Sequence, residues 1–270
     1  MKWMVRFAVI ALALYCGFKA IPEEVVGSGD LVSTTVRYVA LGDSIAYGYG
    51  LQDRQEQSYV SLVRKHLEEK YDYVISSNFG TNGLRSDDLL EILTNPSHKQ
   101  YKKYHATLRY ADVVTVSIGS NDLLHLVKLD LNMESMIENG QELFQEACQE
   151  FKKNFPQIIK EIRRINPKAE IYADNIYNPA KGLSAFGSVY DVAEHYISLM
   201  NQCFYQSEEY RLVDIKTGFD SAGNSLINVS WKGREIDPHP SVEGHERIAE
   251  LVIKEMERKG KNYGDPRSDF

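Results

Sequence analysis

The sequence predicts an α/β protein, a three-layer sandwich in which a mainly parallel sheet is covered by helices on both faces. Three observations predict it. Strand-like apolar segments alternate with amphipathic segments from residue 36 to 258. One of them, "ADVVTVSIG" at 111–119, is β-branched with few polar interruptions, as a strand buried on both faces of a parallel sheet requires. The 270 residues, 43% apolar and 26% charged, suffice for one large domain and show no linker in the middle.

The elements follow in order. "VRYVAL" (36–41) reads as the first strand, and "SYVSLVRKHLEEKY" (58–71) as a helix with Tyr59, Leu62, Val63 and Leu67 on one face. "DYVISSNF" (72–79) is the second strand, followed by a helix at "SDDLLEIL" with Ser86 as its expected N-cap. After the third strand at 111–119, an apolar stripe runs from about Met133 to Ile165. Pro156 interrupts it, so two helices are expected there, the second starting near the proline. "AEIYADNIY" (169–177) and "YRLVDI" (210–215) complete the strands, with a helix around 188–207 between them. A last helix, about 242–258, should bury Ile248, Ala249, Val252, Ile253 and Met256.

The ends differ in character. Lys2 and Arg6 precede "FAVIALALYCGF", a run of signal-peptide length and short for a membrane span of ~20 residues. Residues 1–21 are therefore expected to be a signal peptide or an N-terminal membrane anchor, and the protein to act outside the cytoplasm. Tyr15 before Cys16 is not small, which argues against lipid modification of that cysteine. Residues 22–35 read as a spacer, 36–258 as the domain and 259–270 as a polar tail. An exported Cys148 and Cys203 could form a disulfide. Cys148, however, shares a helical stripe with Phe144, Phe151 and Phe155, where a small buried hydrophobe fits equally well. The net charge of -7 argues against nucleic acid and against anionic lipid headgroups.

In open parallel sheets, ligands gather beyond the carboxyl ends of the strands. Gly42-Asp43-Ser44 follows the first strand, "NFGTNGL" (78–84) the second and "GSND" (119–122) the third, while "EIDPHPSVEGHERIA" opens the last helix. Each alone is weak, since glycines after strands are usually turns and asparagines usually caps. Their order along one sheet edge is the signal.

Together these blocks resemble the SGNH hydrolases, the GDSL-type esterases and lipases, over roughly Val36 to Met256. The resemblance rests on G-D-S at 42–44, Gly83 in "TNG", G-S-N-D at 119–122 and D-P-H-P at 237–240. It implies a flavodoxin-like sheet, Ser44 as nucleophile, His239 as base, and an oxyanion hole from the Gly83 N–H, the Asn121 side chain and the Ser44 N–H. The residues suit those roles: a serine needs an imidazole to take its proton, and a developing oxyanion needs preorganised N–H donors. The flanking prolines should hold His239 in an extended path. There is one departure. The family's acid stands three residues before the histidine, which here is Ile236. Asp237, on the same side of an extended segment as His239, is the expected acid, with Glu235 as the fallback.

The same residues admit other readings. Asp43 would repel a phosphate, and no Walker G-K-[ST] follows the first loop. Asp43 and Asp122 suit structural roles, bonding loop amides. His245 suits capping or packing in the first helical turn, and two histidines six apart lack the spacing of a helical zinc pair, so no metal and no cofactor is expected. Trp231 reads as an ordinary core or surface aromatic. Leu183 or Phe186, in the loop at 177–191, could line an acyl pocket. The expected function is hydrolysis of a small-molecule, lipid or carbohydrate ester through an acyl-enzyme, with no obligate protein partner. An acyltransferase using the same site and a non-catalytic binding module are the alternatives.

Overall fold

The structure is a computed structural model that describes residues 34–127, 140–181, 187–205, 207–222, 226–228, 237 and 239–258. The leader, most of the spacer, the tail, Leu183, Phe186, Trp231 and Glu235 lie outside the described residues. No described helix is long and apolar enough to cross a membrane.

Five strands, β1 (Thr35–Gly42), β2 (Tyr73–Gly80), β3 (Val113–Ser117), β4 (Glu170–Asp174) and β5 (Arg211–Val213), form one sheet in the order β2-β1-β3-β4-β5. Every pairing is parallel. The strand order reverses at β1, between β2 and β3, so the crevice of the switch point opens beyond the ends of β1 and β3. Gly42 is in register with Gly80 on one side and Ser117 on the other. Three of the polar sequence blocks therefore leave the sheet at one place.

The helices are α1 (Ser44–Tyr47), α2 (Arg54–Gln57), α3 (Tyr59–Glu68), α4 (Ser86–Thr94), α5 (Tyr101–Leu108), α6 (Ser120–Val127), α7 (Gly140–Ile165), α8 (Gly187–Asn201), α9 (Ile215–Asp220) and α10 (Val242–Glu257). The two-residue period of β1 divides its side chains between two cores. Val39 and Leu41 pack with Leu89, Leu93, Leu108, Phe151 and Met200 from α4, α5, α7 and α8. Tyr38 and Ala40 pack with Val63, Phe219, Ile248 and Val252 from α3, α9 and α10. The central strand β3 is buried at every position, as its composition predicts. In α10, Ile248, Ala249 and Val252 are fully buried, and Ile253 and Met256 partly so.

Three expectations are corrected. Pro156 does not divide the long stripe, for α7 runs continuously from Gly140 to Ile165 with the proline inside it. The proline is solvent-exposed while Phe151, Phe155, Ile158, Ile159 and Ile162 are buried around it. Burying each such side chain contributes about 1.5–3 kcal/mol, which together outweighs the ~3 kcal/mol an internal proline costs. Ser86 is the first helical residue of α4 and Arg85 precedes it as the cap, with the Arg85 N–H donating to Asp88 Oδ2 at 3.0 Å. The last two residues assigned to the spacer belong to the fold: Thr35 opens β1, and the Thr34 N–H donates to Asp72 Oδ2 at 2.8 Å.

Cys148 and Cys203 are free thiols in one apolar cluster. Cys148 donates to the Tyr196 carbonyl at 3.5 Å, and burial pushes the two thiols up to about 11 and about 12. The packing alternative holds for Cys148.

Candidate active site

The chain turns sharply after β1 because its neighbours leave no room for a side chain. A Cβ on Gly42 would fall 2.1 Å from the Ser117 carbonyl oxygen, and the residue sits at φ +148°. The Asp43 N–H then donates to that same carbonyl at 3.0 Å. Asp43 caps the four-residue α1 by accepting the Ile45 N–H at 2.9 Å. Ser44, the first residue of α1, is 8% exposed. From β2, Asn78 Nδ2 donates to the Ala46 carbonyl at 2.7 Å and Asn78 Oδ1 accepts the Gly80 N–H at 2.8 Å, locking α1 against the end of β2. The sequence pattern alone did not single out Asn78.

His239 arrives from the far end of the chain. A short antiparallel bridge holds its backbone: the Asn228 N–H donates to the His239 carbonyl at 2.8 Å, and the Ser241 N–H to the Leu226 carbonyl at 3.0 Å. Asn228 Nδ2 adds a bond to the Pro240 carbonyl at 3.2 Å. His239 Nε2 lies 2.9 Å from Ser44 Oγ, and Nδ1 lies 2.5 Å from Asp237 Oδ1. An ionised carboxylate only accepts, so Nδ1 carries the proton and Nε2 is free to accept from the serine. Asp237 reaches the ring through a local side-chain turn, for the same Oδ1 also accepts the His239 main-chain N–H at 3.0 Å. Residue i−2 thereby stands where an acid at i−3 is otherwise expected.

The other two blocks are joined to each other. Gly83 sits in an exposed turn at φ +78°, a conformation that favours glycine. That turn is closed by Leu84 N–H to the Thr81 carbonyl at 3.1 Å, and hung from β1 by Thr81 N–H to the Gly42 carbonyl at 3.0 Å. Asn121, buried at the start of α6, donates from Nδ2 to the Leu84 carbonyl at 3.1 Å. One amide hydrogen holds the side chain beside the Gly83 turn, and the second remains for another acceptor. Asp122 clamps Ser86, accepting its N–H at 3.1 Å and its hydroxyl. Asn154 Nδ2 in turn donates to Ser86 Oγ at 3.1 Å. Burial pushes the Asp122 carboxyl up to about 6, against the pull of the Ser86 bonds. Asp43 and Asp122 thus bond main-chain amides, as expected. The sequence marks Ser86 only as a helix start and gives no signal at Asn154 and Asn228, since the Asp122–Ser86–Asn154 and Asn228–Pro240 contacts join separate segments of the chain.

His245 does not join this arrangement. It is fully buried, its Nδ1 accepts the Tyr59 N–H at 3.3 Å, and burial pulls it down to about 4. Among the described residues, no group of three histidine, cysteine or acidic side chains could hold a metal.

A serine hydroxyl is thus bonded to an imidazole, itself bonded to a carboxylate, at the switch point of a parallel α/β sheet, an arrangement in which the imidazole can take the serine's proton. The chain belongs to the GDSL-like lipase/acylhydrolase family, whose model matches residues 40–247. It is 30% identical over 224 residues to the uncharacterized protein YpmR of Bacillus subtilis, covering 82% of this chain and 81% of that one. It is 27% identical over 227 residues to the spore germination lipase LipC of Bacillus licheniformis, covering 81% and 95%. The fold matches the lipase Lip_vut3 from a goat rumen metagenome with a TM-score of 0.64 at 24% identity, over 82% of this chain and 97% of the other.

Proposed function

We propose that the protein is an exported carboxylic ester hydrolase that works through an acyl-enzyme on Ser44. The hydrogen-bonded series Ser44 Oγ, His239 Nε2, His239 Nδ1 and Asp237 Oδ1 is the observation that carries this reading. Nε2 takes the hydroxyl proton as Ser44 Oγ attacks the ester carbonyl. The oxyanion is received by the Ser44 and Gly83 N–H groups and the second Asn121 amide hydrogen. His239 then gives its proton to the departing alcohol; in the second half it takes a proton from a water whose oxygen attacks the acyl carbon, and returns that proton to Ser44 Oγ as the bond to the serine breaks and the acid leaves. Asp237 holds the Nδ1–H tautomer and stabilises the imidazolium that forms.

The substrate class we take is a short- to medium-chain acyl ester, with Leu183 or Phe186, in the long loop at 177–191 that enters a helix, as the residues to line its acyl pocket. The cationic and apolar first 21 residues favour a site of action outside the cytoplasm. The test is hydrolysis of p-nitrophenyl esters, from acetate to a long-chain acid, by the leaderless protein and by Ser44→Ala. Activity that peaks at one chain length and disappears in the variant supports the reading. A folded wild type that is inert across the series removes it.

A further inference from the structure

The loop after α1 sets an aromatic side chain against the imidazole. The Tyr49 and His239 ring centroids are 4.5 Å apart with planes tilted by 40°, and Tyr49 remains 45% exposed. Its position is set from both sides. The Tyr49 N–H donates to the Ser44 carbonyl at 2.9 Å, so its backbone is registered to the nucleophile's own residue. Gly48 and Gly50 flank it at φ +78° and +83°, a left-handed path on both sides that turns the chain tightly here. A Cβ on Gly50 would approach Asp237 Oδ2 at 3.5 Å, which places the turn beside the acid as well. A half-exposed aromatic ring is thus held to the serine by its backbone and to the histidine by its face.

We propose that Tyr49 is the leaving-group contact of this site, one wall of a subsite for the alcohol portion of the ester that favours flat, apolar alcohols. This rests on the ester hydrolase reading. Whatever the acyl group, the departing oxygen must come within about 2.6–3.2 Å of His239 Nε2 to receive its proton. The group on that oxygen therefore lies beside the imidazole, while the acyl chain extends from the opposite side of the carbonyl carbon. The exposed part of the Tyr49 ring offers that group an apolar face with aromatic stacking geometry. Once the alcohol has left, nothing of the substrate remains against the ring. Tyr49 consequently acts on acylation and not on deacylation.

Wild type, Tyr49→Ala and Tyr49→Phe are compared on two ester series. One keeps a butyryl group and varies the alcohol through methanol, benzyl alcohol and naphthylmethanol; the other keeps p-nitrophenol and varies the acyl chain. The expected result is that Tyr49→Ala lowers kcat/KM about tenfold for the two aromatic alcohols and less than about twofold for the methyl ester. The order of acyl preference and the deacylation rate, read from the phase after the p-nitrophenol burst, stay as in wild type, and Tyr49→Phe behaves as wild type. Equal loss on methyl and aromatic esters, or a shifted acyl preference or deacylation rate, overturns the assignment. Labelling of Ser44 by a fluorophosphonate separates the two levels of failure. A labelled, active enzyme whose alcohol preference ignores Tyr49 refutes the subsite alone, whereas a folded wild type that neither labels nor hydrolyses refutes the ester hydrolase reading and the subsite with it.

Discussion

At the rim of the sheet, His239 and Asp237 are partly exposed, both ring nitrogens are engaged, and one faces a serine hydroxyl. Just beneath, His245 and Asp43 are 0% exposed. His245 Nε2 and Asp43 Oδ2 find no partner among the described residues. Burial pushes the Asp43 carboxyl up to about 7 and the His245 imidazole down to about 4, so each is driven toward its neutral form. The same two residue types thus serve opposite ends six residues apart in one case and one residue from the nucleophile in the other. Access and a charged partner make an imidazole able to cycle its proton. Burial without one makes it a packing residue that caps the Tyr59 N–H.

The sharpest way to break this contrast is at Ser44 and His239. Alanine at either is expected to lower kcat on the order of 10⁴–10⁶-fold with little change in the urea midpoint, measured by ester hydrolysis and by unfolding of the same preparations. A surviving rate in His239→Ala that disappears instead in His245→Ala would exchange the two histidines' roles. Next in size, Asp237→Asn is expected to lose about 10⁴-fold in kcat while KM holds, because the ring would then lose the anion that fixes its tautomer. A wild-type rate in that variant would move the orienting role to another acid.

The buried pair is tested by stability. His245→Ala should cost about 2–5 kcal/mol of unfolding free energy through the cavity and the unpaired Tyr59 N–H, while the folded fraction keeps its kcat. An unchanged urea midpoint would contradict the packing role. The smallest effect is expected at Asp43→Asn, in the pH dependence of stability. Asp43 is shifted from 3.8 to about 7, so the folded chain keeps a proton that the unfolded chain releases, and its contribution makes stability fall as pH rises from about 4 to 7. His245, shifted from 6.5 to about 4, contributes the reverse: stability rises with pH across that window, where the unfolded chain binds the extra proton. Removing the first should leave stability climbing more steeply between pH 4 and 6.5 than in wild type. Parallel urea-midpoint profiles for the two proteins would show that Asp43 ionises alike folded and unfolded.

Much of the architecture was legible along the chain. All five strands were readable from apolar runs, and β3's composition announced a strand buried on both faces, because side-chain burial imposes a local period that needs no knowledge of distant partners. The short helices α1, α2, α5, α6 and α9 were not read, since four to eight residues hold too few turns for a period to show. Pro156 misled for a related reason: its local cost is real, but the packing of α7 on both sides of it is a tertiary quantity. In the site, Ser44, Gly83, Asn121 and His239 could be named because they stand in the sequence blocks that carry the family resemblance. Asn78, Asn154 and Asn228 could not, because no motif marks them and the Ala46 carbonyl, Ser86 hydroxyl and Pro240 carbonyl they meet are brought to them by the fold.

The sequence by itself determined the class of fold, the family, the edge of the sheet where polar blocks collect, and the net negative charge. The fold class, the sheet edge and the charge follow from composition and from the succession of strand-like and helical segments, and the family from the resemblance carried by the G-D-S, G-S-N-D and D-P-H-P blocks, all written along the chain. Only the tertiary structure decided which acid meets His239, which histidine is buried, and that Tyr49 rather than another aromatic stands against the imidazole. The Ser44 and His239 side chains are separated by 195 residues yet lie 2.9 Å apart. Such a contact depends on strand register and helix packing summed over the whole domain, and no local pattern carries it.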